Sequence, residues 1–254
     1  MITSPQNPKL KLVRSLQGRA KARRKENAFL VEGVRLFEEA VAAKWKIRFV
    51  LYDRSLSERG KELLDTLEGI EIEEVDGVLL KSISDTETSQ GVLAVLEYVQ
   101  IPFPDSPDFL LILDQIRDPG NLGTLIRTAA AAGVDAVILP PNTADAFAPK
   151  VLRAGMGAHF RIPIVSMDWD AIKERVQGLT VLLAEMEGDV IYTEASLKEG
   201  CALIIGGEAE GASQSARDLA DANIYIPMKD ETESLNAAVA GAILLFEVVK
   251  QRSL

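Results

Sequence analysis

At 254 residues, 47% hydrophobic and 26% charged, the chain has an ordinary globular composition, which excludes a mainly disordered or fibrous protein. That length is enough for two modest domains or one large α/β domain. The longest uncharged run, residues 234–246, is 13 residues, short of the about 20 that a spanning helix needs. The opening Met1-Ile-Thr-Ser-Pro-Gln-Asn-Pro-Lys9 has no apolar signal region, so no membrane partner and a cytoplasmic location are expected. With Cys201 the single cysteine and His159 the single histidine, there is no internal disulfide, no Cys-rich zinc site and little material for a His-based metal cage or triad. No metal is expected.

The charge is uneven. The net charge is −10, yet residues 1–25 carry eight basic side chains (Lys9, Lys11, Arg14, Arg19, Lys21, Arg23, Arg24 and Lys25) and no acidic one. Residues 1–100 balance at 16 basic and 16 acidic, so the whole excess of acid lies beyond them. A basic arm on an acidic body suits a polyanion, because local phosphate contacts outweigh global charge. A solvated basic helix with no partner fits the same charges.

In chain order, residues 29–32 read as a strand, 34–44 as a helix, 47–52 as a strand, 57–67 as a helix, and 70–75 and 91–98 as strands. Residues 100–108, Gln-Ile-Pro-Phe-Pro-Asp-Ser-Pro-Asp, hold three prolines in nine positions and read as an extended linker. The boundaries are therefore 1–99 for a first domain, 100–108 for the linker and 109–254 for a second domain. In that second domain residues 109–113 are apolar on both faces, as a buried parallel strand requires. Further strands follow at 136–139, 161–165, 181–184, 202–205 and 223–226. Helices fit at 122–132, 147–157, 169–177, 214–220 and 234–251. Such alternation gives a parallel sheet covered on both faces. Ligands of such sheets sit beyond the carboxyl ends of the strands, so the loops after Leu113, Ile205 and Ile226 are the informative ones.

The first loop is Leu113-Asp-Gln-Ile-Arg-Asp-Pro-Gly-Asn-Leu-Gly-Thr-Leu-Ile-Arg-Thr128, a strand end, a turn and a helix start capped by Asn121. Asn121, Thr124 and Arg127 fall on one stripe of that helix, and Leu122, Leu125, Ile126 and Ala129 on the stripe facing the core. Arg127 could hold a phosphate or polarise a hydroxyl; an Asn cap beside a solvated Arg accounts for the same residues. The second loop, Leu203-Ile-Ile-Gly-Gly-Glu-Ala-Glu-Gly-Ala-Ser213, brings Gly206, Gly207 and Gly211 to a strand end, where backbone can approach a ligand closely. It lacks the Gly-x-Gly-x-x-Gly pattern, and Glu208 suits a neutral or cationic ligand better than a pyrophosphate. A tight strand–helix turn is the alternative. The third runs from Ile224 through Pro227 to a helix capped by Ser234, whose first turns have almost no polar side and so predict burial all round.

Together and in order, these loops resemble motifs one, two and three of the SpoU (TrmH) family of RNA ribose 2′-O-methyltransferases, in the SPOUT superfamily. Residues 110–251 carry the resemblance, and the Ser234-Leu-Asn236 signature makes it specific. Thr3-Ser-Pro-Gln-Asn-Pro-Lys9, the basic helix, Phe29-Leu-Val-Glu-Gly33 and Gly91-Val-Leu-Ala94 resemble the family's companion substrate-binding domain. The resemblance implies an α/β chain: a parallel-sheet catalytic domain with a deep trefoil knot, preceded by a small α/β ribosomal-protein-like domain. It implies a homodimer, S-adenosyl-L-methionine as methyl donor, and large-subunit ribosomal RNA as substrate, with transfer RNA the alternative. By the motif matches, Asn121 and Arg127 are the motif-one catalytic pair, Glu208 the motif-two acid, and Ser234 and Asn236 the polar pair of motif three. The cofactor is expected at Gly206, Gly207, Gly211, Ile226, Met228 and Leu235. RNA contacts are expected from Lys9, Lys11, Arg14, Arg19, Arg23, Arg24 and Lys25. The chain departs from the pattern at Ala209, at Gly207 before the acid, and in the acidic stretch Lys229-Asp-Glu-Thr-Glu233. A non-catalytic RNA-binding protein would have lost Arg127, Asn121 or Ser-Leu-Asn, and all are present. A dehydrogenase would carry a glycine-rich loop after the first strand, where this chain has Asp-Gln-Ile-Arg.

Overall fold

The computed structural model describes residues 1–86, 88–208, 211–229 and 234–253. The chain divides into two compact units, one of residues 1–100 with 147–160 and one of residues 101–146 with 161–254. The sequence boundary gave all of 109–254 to one domain. The segment 147–160 groups with the first unit instead, because Phe147 and Phe160 join Phe29, Trp45 and Tyr98 in one aromatic cluster there.

The first unit opens with helix α1 (Pro8–Gly18) and helix α2 (Ala20–Glu26). Strand β1 (Ala28–Glu32), helix α3 (Val34–Ala42), strand β2 (Ile47–Tyr52) and helix α4 (Glu58–Asp65) follow. Strand β3 (Glu71–Glu74), helix α5 (Gly77–Ser82) and strand β4 (Val92–Glu97) complete the sheet, in the order β1-β4-β2-β3. Asn7 caps α1, with Pro8 in its first turn, and Leu10, Val13 and Leu16 bury one face of it. Gly18 and Arg19 break the basic stretch into two helices, and Asn27 ends the second in the left-handed conformation at φ 47°. Helix α5 has no counterpart among the expected elements; its six residues are too few for periodicity to register.

The second unit holds strand β5 (Phe109–Leu113), helix α6 (Pro119–Ala132) and strand β6 (Ala136–Leu139). Helix α7 (Pro149–Gly155) belongs to the first unit, and strand β7 (Ile164–Ser166) returns to the second. Helix α8 (Trp169–Arg175), β8 (Thr180–Ala184), β9 (Val190–Ile191), β10 (Cys201–Ile205), α9 (Gln214–Leu219), β11 (Ala222–Tyr225) and α10 (Ala237–Arg252) follow. The sheet is parallel throughout, in the order β7-β6-β5-β10-β8-β11-β9. Strands β5 and β10 are buried at every position, which explains their uninterrupted apolar runs. They are neighbours in register, Leu113 beside Ile205, although 92 residues separate them in sequence. Their carboxyl ends therefore place the first and second loops side by side.

Two helix starts differ from expectation. Asp118, not Asn121, caps α6: its side chain accepts the Asn121 N–H at 2.8 Å, with Pro119 in the first turn. Asn236, not Ser234, caps α10, accepting the N–H groups of Ala238 at 2.9 Å and Val239 at 3.3 Å. Helix α10 is also not buried all round. Ala238, Gly241, Leu244, Leu245 and Val248 are buried, whereas Val239 is 48% and Phe246 49% exposed. Gly241 is needed for the packing of α10 on α6, since a Cβ there would lie 2.3 Å from Leu125 Cδ2.

Candidate active site

Moving the cap to Asp118 frees the Asn121 side chain, which bridges the three loops. Its Nδ2 donates to Glu208 Oε1, and its Oδ1 accepts from Asn236 Nδ2 at 3.0 Å. Asn236 in turn caps α10 with its own Oδ1, so both ends of its amide are engaged. One residue from each loop thus meets at the carboxyl edge of the sheet. The neutral amide of Asn121 holds the Glu208 carboxylate and is itself held by the amide of Asn236.

Thr124 and Arg127 continue the Asn121 stripe and are exposed, while Leu122, Leu125, Ile126 and Ala129 are buried, as the helical spacing requires. Among the described residues no ion pair engages Arg127. Its guanidinium faces solvent two turns along α6 from Asn121. Ser234 is exposed, two residues before the cap.

The glycines of the second loop serve the chain's own packing. A Cβ on Gly206 would stand 2.7 Å from the Ala212 nitrogen, and one on Gly207 would stand 2.5 Å from the Gln115 carbonyl oxygen. Gly207 and Gly211 pair as an antiparallel bridge, with Gly211 at φ +68°. The loop folds back on itself and packs against the first loop. That first loop is pinned by Thr143, whose Oγ1 donates to the Leu113 carbonyl at 2.8 Å and accepts the Gln115 N–H at 3.1 Å. Ile226 and Leu235 are half-buried, and Met228 is exposed, in the segment after β11. Loop 206–213 contains no basic residue. This donor set of backbone groups and carboxylates suits a neutral or cationic ligand and not a pyrophosphate. Ala209, and Asp230 to Glu233 of the acidic stretch, lie outside the described residues. Among the described residues no group of His, Cys, Asp and Glu has metal-site geometry.

In the first unit the basic residues separate. Lys9 pairs with Glu71 at 2.6 Å and with Glu73. Arg23 is 4% exposed and donates to the carbonyls of Leu16 and Gln17. Arg23 is therefore turned to backbone carbonyls and Lys9 to two carboxylates, unlike the exposed basic residues beside them. Lys11, Arg14, Arg19, Arg24 and Lys25 are exposed. Asp114 and Thr143, which sequence reasoning missed, hold the loops from below. The only sequence signal for Asp114 was a carboxylate directly after an all-apolar strand.

A family model described as the SpoU rRNA methylase family matches residues 108–246, and one described as an MRM3-like substrate binding domain matches residues 7–94. The chain is 36% identical over 249 residues to RlmP of Bacillus subtilis, a 23S rRNA guanosine 2′-O-methyltransferase, covering 97% of this chain and 98% of that protein. The crystal structure of the SpoU methyltransferase AviRb from Streptomyces viridochromogenes, in complex with AdoMet, matches with a TM-score of 0.90 and 31% identity over 98% of this chain and 99% of that one. The TrmH/SpoU tRNA modifying enzyme of A. aeolicus matches 58% of this chain and 77% of its own, with a TM-score of 0.52 and 25% identity. On its motifs, its fold and these matches, the chain belongs to the SpoU rRNA methylase family.

Proposed function

We propose that the chain transfers a methyl group from S-adenosyl-L-methionine to a ribose 2′-hydroxyl of 23S ribosomal RNA, as its relative RlmP does by name. The observation that carries the reading is Asn121 joining Glu208 and Asn236, which assembles one motif residue from each loop into a single site. Ribosomal RNA is favoured over transfer RNA because the match to RlmP spans both units, whereas the match to the tRNA enzyme covers 58% of the chain.

A ribose hydroxyl is a weak nucleophile, so the site must align it and ease loss of its proton. The bound donor supplies an activated sulfonium methyl. Gly206, Gly207 and Gly211 with Ile226, Met228 and Leu235 would hold it, largely through main chain. Arg127 stabilises negative charge developing on the 2′-oxygen while its guanidinium grips an adjacent phosphate. Asn121, Glu208 and Asn236 fix the three loops, and Ser234 supplies a further hydroxyl at the mouth. Lys11, Arg14, Arg19, Arg24 and Lys25 meet the RNA backbone. Residues 1–99, joined by 147–160, form the substrate-binding domain, 100–108 the linker, and the remainder of 109–254 the catalytic domain with its trefoil knot.

The working form is a cytoplasmic homodimer. Val239, Ile243 and Phe246 recur at helical spacing on α10, and the exposure of two of them gives a partner an apolar stripe to cover. Phe246→Glu is expected to convert the dimer to a monomer in light scattering. The deciding experiment offers labelled S-adenosyl-L-methionine to unmodified ribosomal and transfer RNA side by side. Alkali-resistant label at one linkage of the large-subunit RNA supports the reading. Label in transfer RNA alone overturns the substrate, and label in neither overturns activity on naked RNA.

A further inference from the structure

One edge of the sheet in the first unit holds two cavities apart from the three loops of the candidate active site. Strands β2 and β3 are parallel and end side by side there, Tyr52 beside Glu74, and β4 starts at the same edge, Val92 beside Tyr52. A cavity of about 270 Å³ is lined there by Asp53, Ser55, Glu74, Asp76 and Gly77 with their neighbours. A second, of about 300 Å³, adjoins it at Ser55 and is lined also by Arg35, Ser57, Arg59 and Gln90.

The first cavity centres on Asp53, which is 6% exposed. Its Oδ1 accepts the Ser55 N–H at 2.8 Å and the Ser55 hydroxyl at 2.5 Å. Its Oδ2 receives no hydrogen bond from the described residues. That oxygen is the nearest atom to a Cβ built on Gly77, at 3.5 Å, so it faces the side of the cavity that has no side chain. A buried acceptor left open to a cavity is completed by a donor from outside the chain. Glu74 and Asp76 add further acceptor oxygens at the rim, each with one oxygen engaged, by Arg54 and by the α5 cap. Among the described residues no group has metal-site geometry, so the matching ligand is an N–H donor. The second cavity has the opposite chemistry. No ion pair among the described residues engages Arg35, whereas Arg59 forks onto Glu38. Gln90 spends its Oε1 on the Val34 N–H at 2.8 Å, which leaves its amide N–H groups to donate, and Ser57 adds a hydroxyl.

We propose that this edge binds one nucleotide of single-stranded RNA, its guanine base read by Asp53 and its phosphate held by Arg35, Ser57 and Gln90. The proposal deepens the RNA reading above and rests on it. A base bearing N–H groups, joined to a phosphate, needs acceptors and donors next to one another, and the two cavities supply them across Ser55. Guanine presents two adjacent N–H donors on its Watson–Crick edge, whereas uracil presents one between two carbonyl oxygens, which the acceptors of the first cavity repel. A basic peptide suits the first cavity and is repelled by Arg35 in the second. The match to a substrate binding domain, residues 7–94, includes Arg35, Asp53 and Gln90.

The test compares binding of labelled decauridine, and of the same decamer with one central guanosine, to the full chain by fluorescence anisotropy, with a thermal melt to establish folding. The guanosine is expected to tighten binding by about tenfold. Asp53→Asn keeps an oxygen for Ser55 and turns an amino group toward the base, and it should erase that advantage while leaving decauridine binding within about twofold. Arg35→Ala should weaken both RNAs by a similar factor. Should Asp53→Asn fail to fold, Gly77→Val carries the same expectation. The Gly77 backbone lies outside the left-handed region, and a side chain there stands in front of an unaltered Asp53. Equal affinity of the wild-type chain for the two RNAs, or an advantage that survives these variants, overturns the site and leaves the RNA reading intact. Binding of neither RNA overturns both. Capture of a labelled decalysine peptide that Asp53→Asn abolishes, with no guanosine advantage, overturns the nucleotide in favour of a basic peptide.

Discussion

The loop site and the basic N-terminal helices are built in opposite ways. At the site, Asn121, Glu208 and Asn236 come from positions up to 115 residues apart and meet within hydrogen-bond distance. In the helices, seven expected contact residues lie within 17 positions, Lys9 to Lys25, yet they divide into distinct environments. Lys9 is ion-paired, Arg23 is buried against backbone carbonyls, and the rest face solvent. Sequence proximity therefore says little about shared function on a broken helix, where each turn redirects the side chain. A parallel sheet, by contrast, delivers distant loops to one edge whatever their separation.

The largest effect should come at Arg127. Arg127→Ala is expected to lower methyl transfer by about 10²–10³-fold, with cofactor affinity unchanged by calorimetry. Wild-type turnover by that variant would separate the site from the chemistry. Next is the bridge itself. Asn121→Ala removes both bonds that join the loops and should cost about tenfold to a hundredfold in kcat. Because α6 keeps its Asp118 cap, the melting temperature should change little.

The two classes of basic residue should separate by readout. Arg23→Ala leaves the carbonyls of Leu16 and Gln17 without their donor and is expected to destabilise folding by about 1–3 kcal/mol in denaturant titration. Arg14→Ala or Lys25→Ala should leave stability alone. Each should raise the KM for RNA and reduce the salt dependence of binding by about one counterion, if its side chain meets a phosphate. Equal stability losses at all three would erase the distinction between the two classes.

The smallest effect concerns Cys201, where burial pushes the thiol up to about 11, with Arg252 opposing and Asp108 adding to the shift. The folded thiol stays protonated at neutral pH and should resist alkylation until the protein unfolds. The folded value lies above the unfolded one, so this group favours unfolding as pH rises past the ordinary thiol range. Labelling rates with a thiol reagent, native against denatured, check the first point.

Much of this architecture was legible in the chain. The all-apolar runs at 109–113 and 201–205 announce central parallel strands, and the 3.6-residue spacing of Leu122, Leu125, Ile126 and Ala129 fixes the buried face of α6. Asp118-Pro119 also carried a start signal, an acidic cap before a first-turn proline, although Asn121 drew the assignment away from it. The order of the three loops along the chain already points to the family.

Tertiary structure alone decided what each polar residue touches. Local sequence offers Asn121 and Ser234 as caps because it weighs only neighbours within a turn. The fold gives those caps to Asp118 and Asn236, leaving Asn121 free to span loops from β5, β10 and β11. It likewise turned the loop glycines toward Gln115 and Ala212, buried Arg23 and exposed one stripe of an apolar helix. Periodicity records how much of a residue is hidden from water. Which atom lies opposite it is set by strand order and register, and those belong to the assembled sheet.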